Sequence, residues 1–348
     1  MRVLIATTVV PFLKGGGTKI VEDLEREMAA RGVQVDTVRL PFYSAWMEVP
    51  EQTVAVRLLD LTESCGNRID RVIAMRSPSY AVRHPNKVTW FMHHHREAFD
   101  LWGTKWTSIP DNEIGRHYRD LMLRADNTYL RECRRVFAQS GVVADRVRRF
   151  NNLDPDGVLY PPLPADHPYR PGPFGDYLLY AGRMTPLKRF DLAIEAMRYT
   201  DPAVRLMLLG APDVPEYGAS LRRLAVEAGV ADRVEFTGWV TEQRKAELMA
   251  GCSGVLFLPF DEDYGYVTVE AFEAHKPVVT LTDSGASREL VEDGVNGVVC
   301  EPDPRALAEV MNRLWHDRAA AVRMGEEASR TLRRKGIYWD HVIETLLS

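Results

Sequence analysis

The chain alternates short apolar runs with stretches whose apolar residues recur at helical spacing. Residues 3–7 form an apolar, β-branched run that reads as a buried strand, and Ile20, Val21, Leu24 and Met28 then line one face of a helix over 20–30. Gly32 supplies the stop for that helix, and residues 33–38 return to a strand pattern. Residues 71–75, 87–92 and 135–138 predict three more strands, with Ser140 as the N-cap of the helix after the last. The pattern breaks at YPPLPADHPYRPGPFGDY (160–177), whose prolines and glycines exclude a long helix or a central strand. It resumes with strands at 177–181, 204–209, 234–236, 255–258, 277–281 and 298–300, separated by helices. Asp303 and Pro304 cap and open a further helix, and Trp339, Val342, Ile343, Leu346 and Leu347 stripe a terminal one. Such alternation predicts an α/β fold of two doubly wound parallel-sheet domains, joined by the Pro/Gly segment, with a cleft between them for ligands.

Composition narrows the class. The 348 residues suit two domains, and 45% hydrophobic with 27% charged residues is ordinary globular usage. A net charge of −5 lacks the basic excess of a nucleic-acid binder, so no nucleic-acid partner is expected. Cys65, Cys133, Cys252 and Cys300 stand far apart with no zinc spacing, which predicts reduced, mostly buried thiols in a cytoplasmic protein. The apolar N-terminus MRVLIATTVVPF is short and leads into a glycine turn and a helix, so it reads as a first strand rather than a signal peptide. No stretch approaches the roughly 18 apolar residues of a membrane span. Arg131, Arg134, Arg135, Arg146, Arg148 and Arg149 cluster around the Ser140 turn. A solvated helix face is the first reading of this basic patch. The second is a peripheral docking site for anionic headgroups at the inner membrane face.

Candidate chemistry sits at strand-to-helix junctions. In DEDYGYVTVEAFEA (261–274), Gly265 precedes a helix whose N-terminal amides and dipole favour a phosphate. Glu262 lies before that helix and Glu270 about one turn inside it, so the two carboxylates suit separate hydroxyl-binding tasks better than one acid–base step. In AGRMTPLKRFDLAIEAM (181–197), Arg183 leaves a strand and Lys188 follows near a helix start, a pair able to clamp a diphosphate. Gly15, Gly16 and Gly17 follow the first strand and let backbone amides approach a phosphate or sugar. They do not make the dinucleotide fingerprint, because Ile20 stands where its third glycine would be and no acid ends the second strand. In WFMHHHREAFDLW (90–102) the three histidines are adjacent, so their side chains diverge, and without further ligands at a recognisable spacing no metal site is predicted.

Together these pieces resemble the GT-B glycosyltransferases, in particular the large retaining family numbered four (glycosyl transferases group 1), over nearly the whole chain. The family's E-x7-E motif is Glu262 to Glu270, its GR-x4-K signature is Gly182-Arg183 through Lys188, and its first-loop glycines are 15–17. Gly285-Ala286-Ser287-Arg288-Glu289 stands where the family usually has Gly-Gly-x-x-Glu. The resemblance implies a GT-B fold: a Rossmann-like acceptor-side domain over 1–162, a Rossmann-like nucleotide-sugar domain over 163–331, and a C-terminal helix at 332–348 packed back on the first. It implies that Arg183 and Lys188 hold the donor's diphosphate with Tyr264, Gly265 and Tyr266 beside it, that Glu270 holds the ribose and that Glu262 holds the transferred sugar. Gly15 and Gly16 would reach the diphosphate from the other domain. His93 would face the reacting carbon, with His95 and Arg96 on the acceptor side. The implied reaction is metal-independent, cofactor-free and retaining. It moves a sugar from a nucleotide-diphosphate donor to a saccharide, lipid-linked glycan or small natural product by a front-face route. A nucleotide-sugar epimerase of the same architecture, a pyridoxal-phosphate-bearing phosphorylase and a non-catalytic nucleotide-sugar-binding protein are the alternatives.

Overall fold

The computed structural model describes residues 1–12 and 15–348, which form two compact units. Met1–Ala165 with Ile337–Ser348 make unit 1, and Asp166–Gly336 make unit 2. Unit 1 runs β1 (Arg2–Val9), α1 (Gly16–Ala30), β2 (Gln34–Pro41), α2 (Val49–Arg57), the small hairpin β3 (Glu63–Ser64) and β4 (Asn67–Arg68), β5 (Arg71–Ala74), β6 (Lys87–Phe91), α3 (Glu113–Arg131), β7 (Arg135–Ala138), α4 (Gly141–Asn151) and β8 (Gly157–Val158). Unit 2 runs β9 (Leu178–Ala181), α5 (Phe190–Ala196), β10 (Leu206–Leu209), α6 (Pro215–Glu227), β11 (Val234–Gly238), α7 (Glu242–Ala250), β12 (Gly254–Leu256), α8 (Tyr266–Glu273), β13 (Val278–Leu281), α9 (Ser287–Leu290), β14 (Gly297–Cys300), α10 (Pro304–His316) and α11 (Arg318–Arg334). The chain returns to unit 1 with α12 (Trp339–Leu347).

Each unit carries a six-stranded parallel sheet, ordered β2-β1-β5-β6-β7-β8 in the first and β11-β10-β9-β12-β13-β14 in the second. The inner strands are runs of apolar residues because helices cover both faces: β5, β6, β9 and β13 are buried at every position. Strand order reverses between β1 and β5 in unit 1 and between β9 and β12 in unit 2. Ligands of doubly wound sheets bind outside the strand C-termini at such reversals.

The helices follow their apolar stripes. Ile20, Val21, Leu24 and Met28 of α1 are at most 4% exposed. Each such side chain stabilises the unit by roughly 1.5–3 kcal/mol, an upper figure because the unfolded chain already hides some surface. Gly32, at φ +76, ends α1 while Val33 donates back to the Met28 carbonyl. Ser140 caps α4 by accepting from the Val143 amide at 3.1 Å, and Asp303 caps α10 by accepting from Arg305 and Ala306. Trp339 of α12 donates to the Leu163 carbonyl at 2.9 Å and meets Trp90 edge to face, while Arg71 donates to the Leu346 carbonyl.

Three expectations need correction. Of the thiols only Cys252 is buried, and Cys65 is exposed because it occupies the tight β3–β4 turn at φ +51. The expected strand at 204–209 starts at Leu206, since the Val204 amide is spent on a turn to Asp201. The arginine cluster is not simply a solvated face. Arg146 is 6% exposed and 3.5 Å from Asp100, Arg148 bonds Asp145 and Asp154, and Arg131 donates to the carbonyls of Asn151 and Asn152. Among the described residues no helix is long and apolar enough to cross a membrane.

Candidate active site

The most developed constellation lies in unit 2 at its strand reversal. The loop leaving β9 carries Arg183, exposed and 3.1 Å from Asp213, and then a single tight turn at Pro186–Lys188. The loop leaving β12 carries Glu262, and Lys188 Nζ meets its Oε2 at 2.6 Å. Residues 74 positions apart are thereby joined across the reversal, with the ammonium also lying 5.0 Å from the centre of the Phe257 ring.

Two glycines make this geometry feasible. Gly265 caps the N-terminus of α8 at φ +89, and a Cβ there would lie 2.4 Å from the Phe257 ring. Gly285, at φ +65, pairs with Glu262, and a Cβ would lie 2.5 Å from both the Glu262 amide nitrogen and its carbonyl oxygen. Glu262 donates its amide to Ser284 O, and its own carbonyl accepts from Ala286 N at 2.9 Å. The 284–286 loop therefore fixes the backbone of Glu262. The Tyr264 and Tyr266 rings flank the helix start edge to face at 5.6 Å, with Tyr264 5% exposed. Helix amides and dipole at this end favour an anion, next to the Lys188 cation.

Glu270, inside α8, is 3% exposed. Its Oε1 accepts from Lys245 Nζ of α7 at 2.8 Å, while its Oε2 is buried without a hydrogen bond. Glu262 and Glu270 thus have different cations and different surroundings.

Sequence reasoning missed the supports. Arg189, next to Lys188 and in the left-handed region at φ +51, donates to the carbonyls of Leu258 and Pro259 at 2.7 Å and forms a two-pronged pair with Asp283. It staples together the loops leaving β9, β12 and β13. Tyr180 donates to the Lys188 carbonyl and accepts from the Leu258 amide, and stacks on Phe190 at 4.1 Å. Burial pushes its phenol well above the ordinary range. Arg189 follows the signature directly, but its partners lie 69 to 94 positions away, so no local signal marks the staple.

In unit 1 the candidate residues also gather at the strand C-termini. Gly15 is the N-cap of α1 and Gly16 its first residue. Leu13 and Lys14 of that loop lie outside the described residues. Beside the helix start stands Arg76, at the exit of β5, with atoms 3.6 Å from where a Cβ on Gly17 would lie, and donating to Thr8 O at 3.3 Å. Burial lowers its pKa, and it too was missed.

The three histidines do not act as a set. His93 Nδ1 is 2.7 Å from the His94 carbonyl oxygen. His94 is a core residue, 1% exposed, stacked on Phe99 at 4.2 Å with Nε2 2.7 Å from Asn151 Oδ1. His95 keeps a buried Nε2 without a hydrogen bond, and burial lowers its pKa. Arg96 is engaged with Asp100 at 2.7 Å, which draws it back into its own loop. Among the described residues no group of three His, Cys, Asp or Glu side chains is arranged to hold a metal.

Residues 174–331 match the sequence profile described as "Glycosyl transferases group 1". A D-inositol 3-phosphate glycosyltransferase of Xylanimonas cellulosilytica is 33% identical over 187 residues, 53% of this chain and 42% of that protein. The mouse alpha-1,3/1,6-mannosyltransferase ALG2 is 30% identical over 33% of this chain and 27% of its own length. The chain therefore spans less than half the length of these two relatives. Among solved structures, sucrose-phosphate synthase of Thermosynechococcus elongatus aligns with a TM-score of 0.79 at 17% identity, covering 98% of this chain and 97% of that one. Anabaena Alr3699/HepE, in complex with UDP and glucose, aligns at 0.72 and 19% over 99% of both. The chain has the GT-B fold, and its residues 174–331 carry a match to glycosyl transferases group 1.

Proposed function

We propose that the chain transfers a sugar, with retention, from a nucleotide-diphosphate donor to an acceptor hydroxyl. The observation that carries this reading is the meeting of Lys188 and Glu262, 2.6 Å apart, in the loops that flank the Gly265 start of α8. A cation, a carboxylate acceptor and a helix N-terminus brought to one strand reversal suit a ligand that is anionic at one point and hydroxylated at the next. The group 1 match over residues 174–331 and the named activities of the relatives support the same reading.

In this reading Arg183, Lys188 and the first amides of α8 take the diphosphate, Glu262 the sugar hydroxyls and Glu270 the ribose, with Tyr264 and Tyr266 walling the helix start. The anomeric carbon–oxygen bond breaks toward the diphosphate, the acceptor oxygen bonds the same carbon on the same face, and its proton passes to the departing phosphate oxygen. Charge that grows on that phosphate is met by groups already oriented toward it, which favours the transition state over the ground state. The two cations supply this charge stabilisation, so no divalent metal is required. Unit 1 takes the acceptor, with His93 and His95 at its strand ends. The Arg96–Asp100 pair shapes that loop. The acceptor class is a saccharide, a lipid-linked glycan or a small natural product.

A thermal-shift panel of nucleotide-diphosphate sugars tests donor binding, since a ligand at 100 times its Kd stabilises by about 2.7 kcal/mol. Product NMR with the donor identified by that panel should show a retained anomeric configuration in the presence of EDTA. An inverted product, or loss of turnover in EDTA, overturns the mechanism. Release of an epimer from donor alone would favour the epimerase instead.

A further inference from the structure

Lys245 belongs to none of the motifs, yet it sits between two carboxylates. Its Nζ is 2.8 Å from Glu270 Oε1 and 3.2 Å from Glu242 Oε2. Glu242 is held in turn by Tyr169, which is 1% exposed and donates its hydroxyl to Glu242 Oε1 at 2.6 Å. The ammonium also lies 5.5 Å from the centre of the Tyr169 ring. Tyr169 comes from the Pro/Gly segment that enters unit 2, Glu242 and Lys245 from the first turn and a half of α7, and Glu270 from α8. Three separate pieces of chain therefore fix one lysine against one buried carboxylate.

The energetics say why such a brace is needed. A carboxylate 3% exposed is costly to bury without a cation beside it. Burial on its own would likewise lower the pKa of Lys245, and the Coulombic pull of Glu270 and Glu242 outweighs it and raises the pKa. Glu270 Oε1 accepts from the ammonium, and Oε2 is buried without a hydrogen bond, with the Tyr169 hydroxyl close to the carboxylate. A buried acceptor left unmatched is costly, and a hydroxyl that reaches it gains a charge-assisted hydrogen bond.

We propose that Lys245 is a positioning residue for ribose recognition, holding Glu270 by one oxygen so that the other receives a hydroxyl of the donor's ribose. This rests on the reading of unit 2 as a nucleotide-sugar site, and it adds a residue outside the family motifs on which preference for a ribonucleotide depends. Lys245 acts through Glu270 and touches no reacting atom.

The test is calorimetric titration of wild type, Lys245→Met and Lys245→Arg with UDP, GDP and ADP, each beside its 2′,3′-dideoxy counterpart, and with inorganic pyrophosphate. Lys245→Met is expected to weaken the preferred ribonucleotide about 10-fold or more, the scale of one charged hydrogen bond, and to leave its dideoxy form and pyrophosphate within about 2-fold. Lys245→Arg should restore most of the difference. Unchanged ribonucleotide affinity in Lys245→Met, or equal losses for the ribo and dideoxy forms, overturns the proposal. If Lys245→Met does not fold, Lys245→Gln carries the same comparison and should still lose affinity selectively for the ribo form. A wild-type protein that binds none of the three nucleotides would instead defeat the donor reading itself, and the role of Lys245 with it.

Discussion

The two units share a six-stranded parallel plan but furnish the reversal in strand order differently. In unit 2 the gap between β9 and β12 is closed by charge: Lys188 with Glu262, and Arg189 with Asp283 and two carbonyls, all at 2.6–2.8 Å. In unit 1 the gap between β1 and β5 holds glycines at a helix start and the guanidinium of Arg76 near them, while the histidine loop leaves the next strand, β6. The charged side chains of unit 2 are thus set in advance by loops that brace one another, which suits an anion of constant shape. Among the described residues, the edge of unit 1 is built from backbone at a helix start, a guanidinium and imidazoles.

The comparison breaks most readily at Lys188. Lys188→Ala should raise the barrier by about 2–4 kcal/mol, the cost of losing one preorganised charge donor, with a smaller loss for His93→Ala. Steady-state kcat at saturating donor decides it, and near-wild-type turnover in Lys188→Ala and Arg183→Ala would remove the electrostatic account of unit 2. Equal losses at Lys188 and His93 would erase the asymmetry between the units.

A second contrast lies beneath the surface of unit 1. Asp126 of α3 is 4% exposed and accepts from the Tyr80 hydroxyl at 2.5 Å, and burial pushes its pKa up to about 7 despite that hydrogen bond. The folded chain thus keeps a proton that the unfolded chain releases near pH 4. Stability contributed by this group is greatest in acid, falls as pH climbs from about 4 to about 7, and is level above. Asp126→Asn should accordingly stabilise the protein at pH 8 by about 2–3 kcal/mol, with the gain vanishing near pH 4. Chemical denaturation at the two pH values checks this, and a gain that does not depend on pH refutes it.

Gly285→Ala sharpens the comparison by loosening unit 2 alone. A Cβ against the Glu262 backbone at φ +65 should cost about 1–3 kcal/mol, read as a lower midpoint of thermal unfolding, and should reduce donor binding as Glu262 shifts. Unaltered binding would mean that the 284–286 loop does not position Glu262. The smallest effect is expected at the basic patch of unit 1. Arg148→Ala removes pairs to Asp145 and Asp154 that are largely exposed, and should leave the midpoint of thermal unfolding almost unchanged. Its binding to anionic vesicles should also barely change, because those carboxylates already meet the guanidinium. A large drop in vesicle binding would support the membrane-docking reading.

Much of the architecture was legible because the inner strands of the two sheets are short apolar runs. Residues 135–138 and 278–281 are read almost to the residue, since their apolar positions are buried on both faces and Arg135 and Thr280 are the single polar interruptions. The β3–β4 hairpin escaped, because two-residue strands with exposed side chains leave no periodicity. The site was legible where chemistry is local. Gly265 before a helix and Arg183 after a strand are visible because a turn and a helix end are decided within a few residues. Arg189, Lys245 and Tyr169 were not, because their partners come from other segments, and an arginine or lysine on a helical stretch looks the same whether it is solvated or braced.

What the sequence determined by itself is therefore the alternation of strands and helices and the types of residue at their junctions. Both follow from backbone hydrogen bonding and apolar burial, which act over short stretches of chain. What only the tertiary structure decided is the pairing: which carboxylate takes Lys188, which takes Lys245, and which histidine joins the core. Those choices depend on charges and rings brought together from distant positions, where distances of 2.6–2.8 Å and the loss of water decide the partner.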